Sequence, residues 1–187
     1  MRQLPGGCLA LLLAQDDEHD LSGVVPVAPA GLEMARWFAL INREPVLRTL
    51  LSAPVPVPSR VLQTVVGGIY KRLAFHRPGQ IDPLVARAFT SHFRDRATTA
   101  RMLATGRRLL PELRDCLKPE LIECPVLVVW GRQDVMVFDS GAQRLLDAAP
   151  GARLVTIEDC GHCPQIEATD RLAELVLDFP PSLAPAF

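Results

Sequence analysis

The chain has 187 residues, a formal net charge of −1, and 49% apolar and 22% charged residues. This balance is typical of a folded globular domain. It excludes a disordered chain, a collagen-like chain and a strongly basic nucleic-acid-binding protein. The odd number of 5 cysteines disfavours a disulfide-linked secreted scaffold and favours reduced thiols in a cytoplasmic protein.

The first predicted element is a helix over residues 7–15. It contains the apolar run CLALLLA at residues 8–14, which also matches the core of a secretion signal. That run is short for a signal, one positive charge precedes it, and no convincing small-residue cleavage site follows. We therefore interpret it as a buried helix. No apolar run reaches the roughly 18–20 residues that a membrane span needs, so no membrane span is predicted.

Three segments are predicted as buried strands: residues 24–28 (VVPVA), 126–130 (VLVVW) and 153–157 (RLVTI). The first two are short continuous apolar runs, which are typical of parallel strands covered on both faces. Helical patterns follow at residues 140–148 and 165–179. This alternation of strands and helices predicts an α/β fold with a parallel sheet.

Nearly one hundred residues without a strand-like run separate the first two predicted strands. Helical patterns broken by prolines fill this interval, at residues 33–41, 45–51, 59–74, 83–93 and 97–113. Because the interval is too long for an ordinary connection, it predicts a helical lid over residues 30–118. Residues 1–29 and 119–187 then form the core.

The charge is unevenly distributed along the chain. Residues 71–118 carry a net charge of +7 and residues 119–187 carry −7. The simpler interpretation is that a basic segment packs on an acidic body. The alternative is that the basic segment attracts anionic substrates or surfaces.

Two polar residues follow the second and third predicted strands. Asp134 lies in the sequence GRQD and His162 in the sequence DCGHC. The carboxyl ends of parallel strands share one edge of a sheet, where open α/β sheets place their sites. We therefore expect the two side chains to meet at hydrogen-bond distance. An Asp that orients a His forms two thirds of a Ser-His-Asp relay.

These motifs resemble those of a known family. The stretch from PVLVVWGRQD through DCGHCPQIE resembles the carboxyl-terminal part of α/β-hydrolase fold enzymes, and GGCLALLLA with LSGVVPVAPAG resembles the helix after the nucleophile turn and the next strand. The resemblance implies a partial parallel sheet, the last three strands of that fold, with a largely helical lid. It implies that Asp134 is the triad acid, His162 the triad base and Glu167 a structural carboxylate. We expect no cofactor and no metal ligands.

The nucleophile turn departs from the family pattern, which reads Gly-x-Ser-x-Gly. Aligning on Gly6 and Gly7 places Leu4, which has no nucleophilic atom, at the Ser position. Cys8 is the nearest reactive side chain but falls inside the following helix. We therefore predict a truncated, inactive chain. One choice of codons for MRQLPGG, read in a shifted frame with one base restored, encodes CGNSLGG, which contains a serine in the family pattern. We therefore predict that the reading frame of this chain is frameshifted or miscalled.

For the complete protein, the resemblance implies a serine hydrolase of the esterase or lipase type, or one that cleaves a C–C bond. The substrate would be small and hydrophobic or acyl-type. Met34, Trp37 and Phe38 are candidates for the lid side of the substrate pocket, although packing within the lid is the simpler interpretation. Tyr70 is the only tyrosine, which disfavours epoxide hydrolases of this fold, since these typically use two lid tyrosines.

Cys160 and Cys163 form a C-x-x-C motif around His162. The letters CGHC match disulfide isomerases, but too few residues follow for that fold, and a proline directly after the second cysteine is unusual there. A zinc site that adds Cys116 or Cys124 is equally weakly indicated. The simpler interpretation is that both cysteines are small residues beside the histidine.

A non-catalytic role is the alternative function. A decayed hydrolase would serve as a binding or partner module, with the lid groove as its ligand site. The strand at residues 24–28 would lack one neighbour and expose an unpaired edge. That edge predicts a dimer, or rescue by a complementing amino-terminal fragment.

Overall fold

The computed structural model describes residues 6–18, 20–32, 58–93, 95, 97–101, 104–105, 117–149 and 151–179. The predicted helices at residues 33–41 and 45–51 lie outside the described residues. So do the predicted pocket residues Met34, Trp37 and Phe38.

The helices of the described part are α1 (Gly6–Ala14), α2 (Ser59–Ala74), α3 (Pro83–Thr90), α4 (Ala142–Ala148), α5 (Pro164–Glu167) and α6 (Thr169–Leu177). Short 3₁₀ turns occur at Ser91–Phe93, Pro119–Leu121 and Asp139–Gly141, and residues 97–101 and 104–105 are also helical. None of the described helices is long and apolar enough to cross a membrane.

Two strands form the regular part of the sheet. Strand β1 (Val126–Gly131) pairs in parallel with β2 (Ala152–Ile157), in a register that runs from Val126 opposite Ala152 to Gly131 opposite Ile157. Every residue of β1 is buried, which explains why its sequence is a continuous apolar run rather than an alternating one. Helix α4 connects the two strands and completes a βαβ unit.

The first predicted strand, residues 24–28, lies on the other side of β1. It makes two isolated parallel bridges, Val24 with Val126 and Val27 with Val129. The N–H of Val24 donates to Pro125 O at 3.0 Å, and the N–H of Val129 donates to Pro26 O at 3.0 Å. Between these bonds the ladder would need a donor at Pro26, which has no N–H. The segment therefore takes a strand's place in the sheet without a continuous ladder.

Apolar side chains cover both faces of this sheet. One cluster joins Leu11 of α1 and Leu145 of α4 to Val126, Val128 and Trp130 of β1. The other joins the alternate residues Leu127 and Val129 to apolar side chains of α6, namely Leu172 and Leu175. Each such fully buried aliphatic side chain contributes roughly 1.5–3 kcal/mol to folding.

Several predicted helices differ in extent from the structure. The helix predicted over residues 7–15 spans Gly6–Ala14, and the one predicted over residues 140–148 begins at Ala142, after a 3₁₀ turn at Asp139–Gly141. The helix predicted over residues 165–179 is not continuous, because Ala168 adopts φ −141° and ψ 46° and separates α5 from α6. The helix predicted over residues 83–93 starts at Pro83, as predicted, and the Asp82 side chain caps it by accepting from the N–H groups of Leu84 and Val85. Its last three residues form a 3₁₀ turn instead of an α-helix. Helix α2 has the predicted bounds.

Candidate active site

Asp134 lies in the loop that follows β1, and the backbone around it fixes its side chain. Its N–H donates to Gly131 O at 3.1 Å. Its Oδ1 accepts from the N–H groups of Met136, at 2.8 Å, and Val137, at 3.0 Å. The carboxylate is therefore held by the turn it begins, and its side chain is only 1% exposed.

The same turn is tied to the core through Trp130. The indole Nε1–H of Trp130 donates to Val137 O at 3.0 Å, and the indole itself is fully buried. A bulky residue at the end of β1 thus anchors the far side of the Asp134 loop.

His162 lies in the loop that follows β2, and its Nδ1 is 2.8 Å from Asp134 Oδ2. A carboxylate accepts hydrogen bonds and cannot donate them when ionised, so Nδ1 carries the proton in this pair. The His162 side chain is 24% exposed. No hydrogen bond joins its Nε2 to any described residue. The structure therefore brings the two predicted site residues together, with Nε2 as the remaining imidazole nitrogen.

Gly131 allows the two loops to approach each other. A Cβ built on Gly131 would overlap Gly161 O and lie 2.5 Å from Cys160 O. These contacts are with backbone atoms, which cannot rotate away as a side chain can. Only a glycine at the end of β1 lets the His162 loop pass this close.

Gln133 joins the loops by two further bonds, and the sequence analysis did not identify it. Its N–H donates to Cys160 O at 2.9 Å, and its Oε1 accepts from the N–H of Cys160 at 3.0 Å. Within the sequence GRQD, nothing in the local pattern distinguished Gln133 from an exposed glutamine.

Helix α2 ends against the His162 loop. The N–H of His162 donates to Ala74 O at 3.1 Å. The carboxylate of Glu167 accepts from the N–H of Gly161 with Oε2 and from the N–H of His76 with Oε1, both at 2.8 Å. Glu167 thus bonds backbone groups on both segments.

An apolar cluster lies beside the pair. It comprises Ala74, Phe75, Ile81, Phe89, Met136, Cys163 and Ile166, which come from α2, α3, the segment between them, α5 and both loops. Tyr70 stacks on Phe89 of this cluster and meets Phe93 at a tilted angle, and burial raises the pKa of its hydroxyl. The surroundings of the Asp134–His162 pair are therefore partly apolar.

Cys160 and Cys163 are buried free thiols in this structure. Burial, followed by the nearby carboxylates of Glu167 and Asp134, raises the pKa of each thiol to about 12. Redox-active and metal-binding cysteines depend on a thiolate and have lowered pKa values, so this environment opposes both alternatives. Within the described ranges, no group of three or more His, Cys, Asp or Glu side chains is placed to hold a metal ion. Cys116, the other suggested ligand, lies outside those ranges.

A family model described as "Alpha/beta hydrolase family" matches residues 6–175. The chain is 38% identical over 77 residues to 2-hydroxy-6-oxononadienedioate/2-hydroxy-6-oxononatrienedioate hydrolase 2 of Pseudomonas putida, a match that covers 41% of this chain and 26% of that protein. It is 26% identical over 158 residues to a hydrolase of the same description from Pseudomonas sp., covering 84% of this chain and 49% of the relative. The chain thus spans about half the length of that relative.

Solved structures share the fold. An alpha/beta hydrolase fold protein from Burkholderia ambifaria superposes with a TM-score of 0.70 at 19% sequence identity, covering 93% of this chain and 63% of that one. At this identity the likeness supports the fold and nothing finer.

Proposed function

Because the chain belongs to the alpha/beta hydrolase family, we propose that Asp134 and His162 are the acid and base of a nucleophilic hydrolase site. The observation that carries the proposal is the 2.8 Å contact between His162 Nδ1 and the buried Oδ2 of Asp134. The contact lies at the carboxyl edge of two adjacent parallel strands, where sites of such sheets occur.

His162 acts as the general base in this proposal. Its Nε2 takes the proton of an attacking hydroxyl and later delivers it to the leaving group. Asp134 keeps the Nδ1–H tautomer in place and stabilises the imidazolium that forms. Oδ1 of Asp134 is held by two backbone N–H groups, so the carboxylate does not rotate during the proton transfer.

The nucleophile of this proposal is a serine on a Gly-x-Ser-x-Gly turn. The 187 residues contain no such motif. We therefore expect negligible hydrolysis from this polypeptide alone and activity once a segment that bears the turn is supplied.

The bond class we propose is an activated C–C bond or an ester in a small substrate. The Pseudomonas relatives are described as 2-hydroxy-6-oxononadienedioate/2-hydroxy-6-oxononatrienedioate hydrolases, and these descriptions support the proposed bond class. The assignment of Met34, Trp37 and Phe38 to the lid side of the pocket stays a prediction.

A chimera tests the proposal. The amino-terminal part of the P. putida hydrolase, up to and including its nucleophile turn, is fused to this chain at Gly6. The 187-residue chain alone should turn over neither a 2-hydroxy-6-oxo dienoate nor an activated ester, whereas the chimera should do so. In the chimera, Asp134→Asn should lower kcat by about 10⁴-fold, the magnitude seen when a triad acid is made neutral.

Asp139→Asn is the matched control, because Asp139 follows the same strand and its carboxylate lies 3.5 Å from the exposed Arg132 guanidinium. It should leave kcat unchanged. A folded, active chimera whose rate survives both His162→Ala and Asp134→Asn would overturn the assignment.

Assembly with a partner is the second candidate function, favoured by one specific observation. The N–H of Val25 points away from β1, because the N–H groups of Val24 and Ala28 point toward it. Among the described residues no hydrogen bond to Val25 is found. We propose that this edge of the 24–28 segment pairs with a second copy or with an amino-terminal fragment.

A further inference from the structure

The proposed chemistry does not use the Glu167 side chain. Its carboxylate accepts hydrogen bonds from three backbone N–H groups: Gly161 donates to Oε2 at 2.8 Å, and His76 and Arg77 donate to Oε1 at 2.8 Å and 3.1 Å. Hydrogen bonds to a charged acceptor are about twice as strong as neutral ones. A single side chain therefore holds two segments that lie far apart in sequence.

One of these segments is the end of lid helix α2. Helix α2 stops at Ala74, and His76 and Arg77 are among the first residues beyond it. Their N–H groups point at Glu167 and lie outside the helical ladder. The carboxylate thus fixes the direction in which the chain leaves the lid helix.

The other segment is the loop that carries His162. Gly161 directly precedes His162, and there is no room for a side chain on it, because a Cβ would lie 2.7 Å from the His76 nitrogen and 2.9 Å from Glu167 Oε2. Two further contacts join the same segments. His162 N–H donates to Ala74 O at 3.1 Å, and Arg77 pairs with Asp159 at 2.8 Å.

The ion pair is the weaker of these links. Both of its side chains are about half exposed or more, and exposed pairs contribute little. The Glu167 carboxylate is only half-buried, yet all three of its bonds go to backbone atoms that cannot move independently of their segments. The coupling between lid and loop therefore rests on the three bonds of Glu167 together with the bond from His162 N–H to Ala74 O.

We propose that Glu167 is a positioning residue that couples the end of lid helix α2 to the His162 loop, so that the placement of the lid sets the geometry of the Asp134–His162 pair. The proposal rests on the proposed function, because it gives the lid a means to regulate the same base. It extends that function, since the lid becomes a determinant of base orientation as well as a cover.

The test is carried out on the 187-residue chain and needs no turnover. Nitrogen NMR of the histidine rings at pH 8.5 reports whether the proton of neutral His162 lies on Nδ1 or on Nε2. Amide hydrogen exchange is measured in parallel at Gly161, His76 and Arg77. Glu167→Gln keeps the shape of the side chain but replaces one acceptor oxygen by an NH₂ group. Glu158→Gln, which removes an exposed carboxylate bonded to Arg132 at 3.1 Å, is the matched control.

The wild-type chain should show the Nδ1–H form of His162. Glu167→Gln should shift His162 toward the mixture of an unconstrained imidazole and accelerate exchange at all three amides by about 10- to 100-fold. The N–H of Leu127, which donates to Val24 O in the sheet, should stay protected. Glu158→Gln should change none of these readouts. If Glu167→Gln fails to fold, Glu167→Asp, which retracts the charge by one methylene, should shift the same signals in the same direction.

The outcomes separate the two proposals. A wild-type chain without the Nδ1–H form would contradict the proposed function. A wild-type chain with that form, whose Glu167→Gln variant keeps both the tautomer and the slow exchange, would overturn the coupling alone. Equal acceleration at Leu127 would also overturn the coupling, because Glu167 would then support only general stability.

Discussion

Gly131 shows how a single residue decides whether the site forms. It ends β1, and the carbonyl oxygens of Cys160 and Gly161 lie where a Cβ on this residue would be. Asp134 is positioned from the Gly131 carbonyl, through the bond to the Asp134 N–H. A glycine, which has no side chain, therefore lies where the two loops of the site touch.

Two alanine substitutions test this point with opposite signs. Gly131→Ala should lower the free energy of unfolding by roughly 1–3 kcal/mol, because its Cβ overlaps backbone atoms that must shift. Gly68→Ala should raise it by about 0.5–1 kcal/mol, because Gly68 lies inside α2 with nothing within 4 Å of its Cβ position. Urea denaturation of both variants measures the difference. Equal effects at the two positions would refute the close approach.

The cysteines that flank His162 give a prediction about reactivity. With a pKa of about 12 in place of the ordinary value near 9, each thiol holds roughly a thousandfold less thiolate at neutral pH. Iodoacetamide at pH 8 should therefore modify Cys124, which is half-buried, well before Cys160 or Cys163. Peptide mass spectrometry follows each site. Rapid labelling of Cys163 in the folded chain would contradict the burial described above.

The same shift has a consequence for stability at high pH. A thiol whose pKa is raised in the folded state favours folding below the unfolded pKa and loses that contribution as the pH rises toward the folded value. Stability should therefore fall between about pH 9 and pH 12. Replacing Cys160 and Cys163 by alanine should flatten that fall relative to the parent chain.

At the scale of elements, Pro26 prevents residues 24–28 from forming a continuous hydrogen-bond ladder with β1. Its carbonyl accepts from Val129 as a strand residue would, but it has no N–H for the carbonyl of Leu127. Proline inside a sheet interrupts the ladder in this way. The apolar pattern of residues 24–28 predicted a strand, and the proline reduces that strand to two bridges.

Pro26→Val tests this explanation. The new N–H should bond Leu127 O and contribute about 0.5–1.5 kcal/mol, which the lost rigidity of proline in the unfolded chain, about 0.4–1 kcal/mol, largely offsets. The free energy of unfolding should thus change little, while hydrogen exchange of the new amide should be slow. An amide at position 26 that exchanges like an exposed one would show that the segment is not in register.

At the scale of the whole molecule, an ion pair joins the basic segment at residues 71–118 to the acidic segment at residues 119–187. Arg77 contacts Asp159 at 2.8 Å. This contact favours the simpler interpretation of the charge pattern. The division at residues 30 and 118 stays a prediction.

The open edge of the 24–28 segment gives a prediction about assembly. Val25→Pro removes the N–H that points away from β1, so it should weaken self-association or capture of an amino-terminal fragment. Val25→Ala is the control, because it loses the same apolar side chain but keeps the N–H. Sedimentation velocity over a range of concentrations compares the two. An unchanged association state in Val25→Pro would exclude this edge as the contact.

The amino-acid sequence by itself determined the α/β fold class, the bounds of α2 and the positions of β1 and β2 to within a residue. It did so because continuous apolar runs and helical spacing are local signals, and proline and glycine mark where such signals end. It also identified Asp134 and His162 as neighbours, because residues that follow adjacent parallel strands meet at one edge. Their catalytic roles remain a proposal.

Only the tertiary structure decided what holds that pair in place. The bonds of Gln133 to Cys160, and of Glu167 to Gly161, His76 and Arg77, join segments separated by 27 residues in the first case and by up to 91 in the second. No local sequence pattern encodes such contacts, because each depends on the positions that distant backbone groups take in the folded chain. The break at Ala168 was not predicted either, because the helical periodicity continues through it, whereas its backbone is non-helical at φ −141° and ψ 46°.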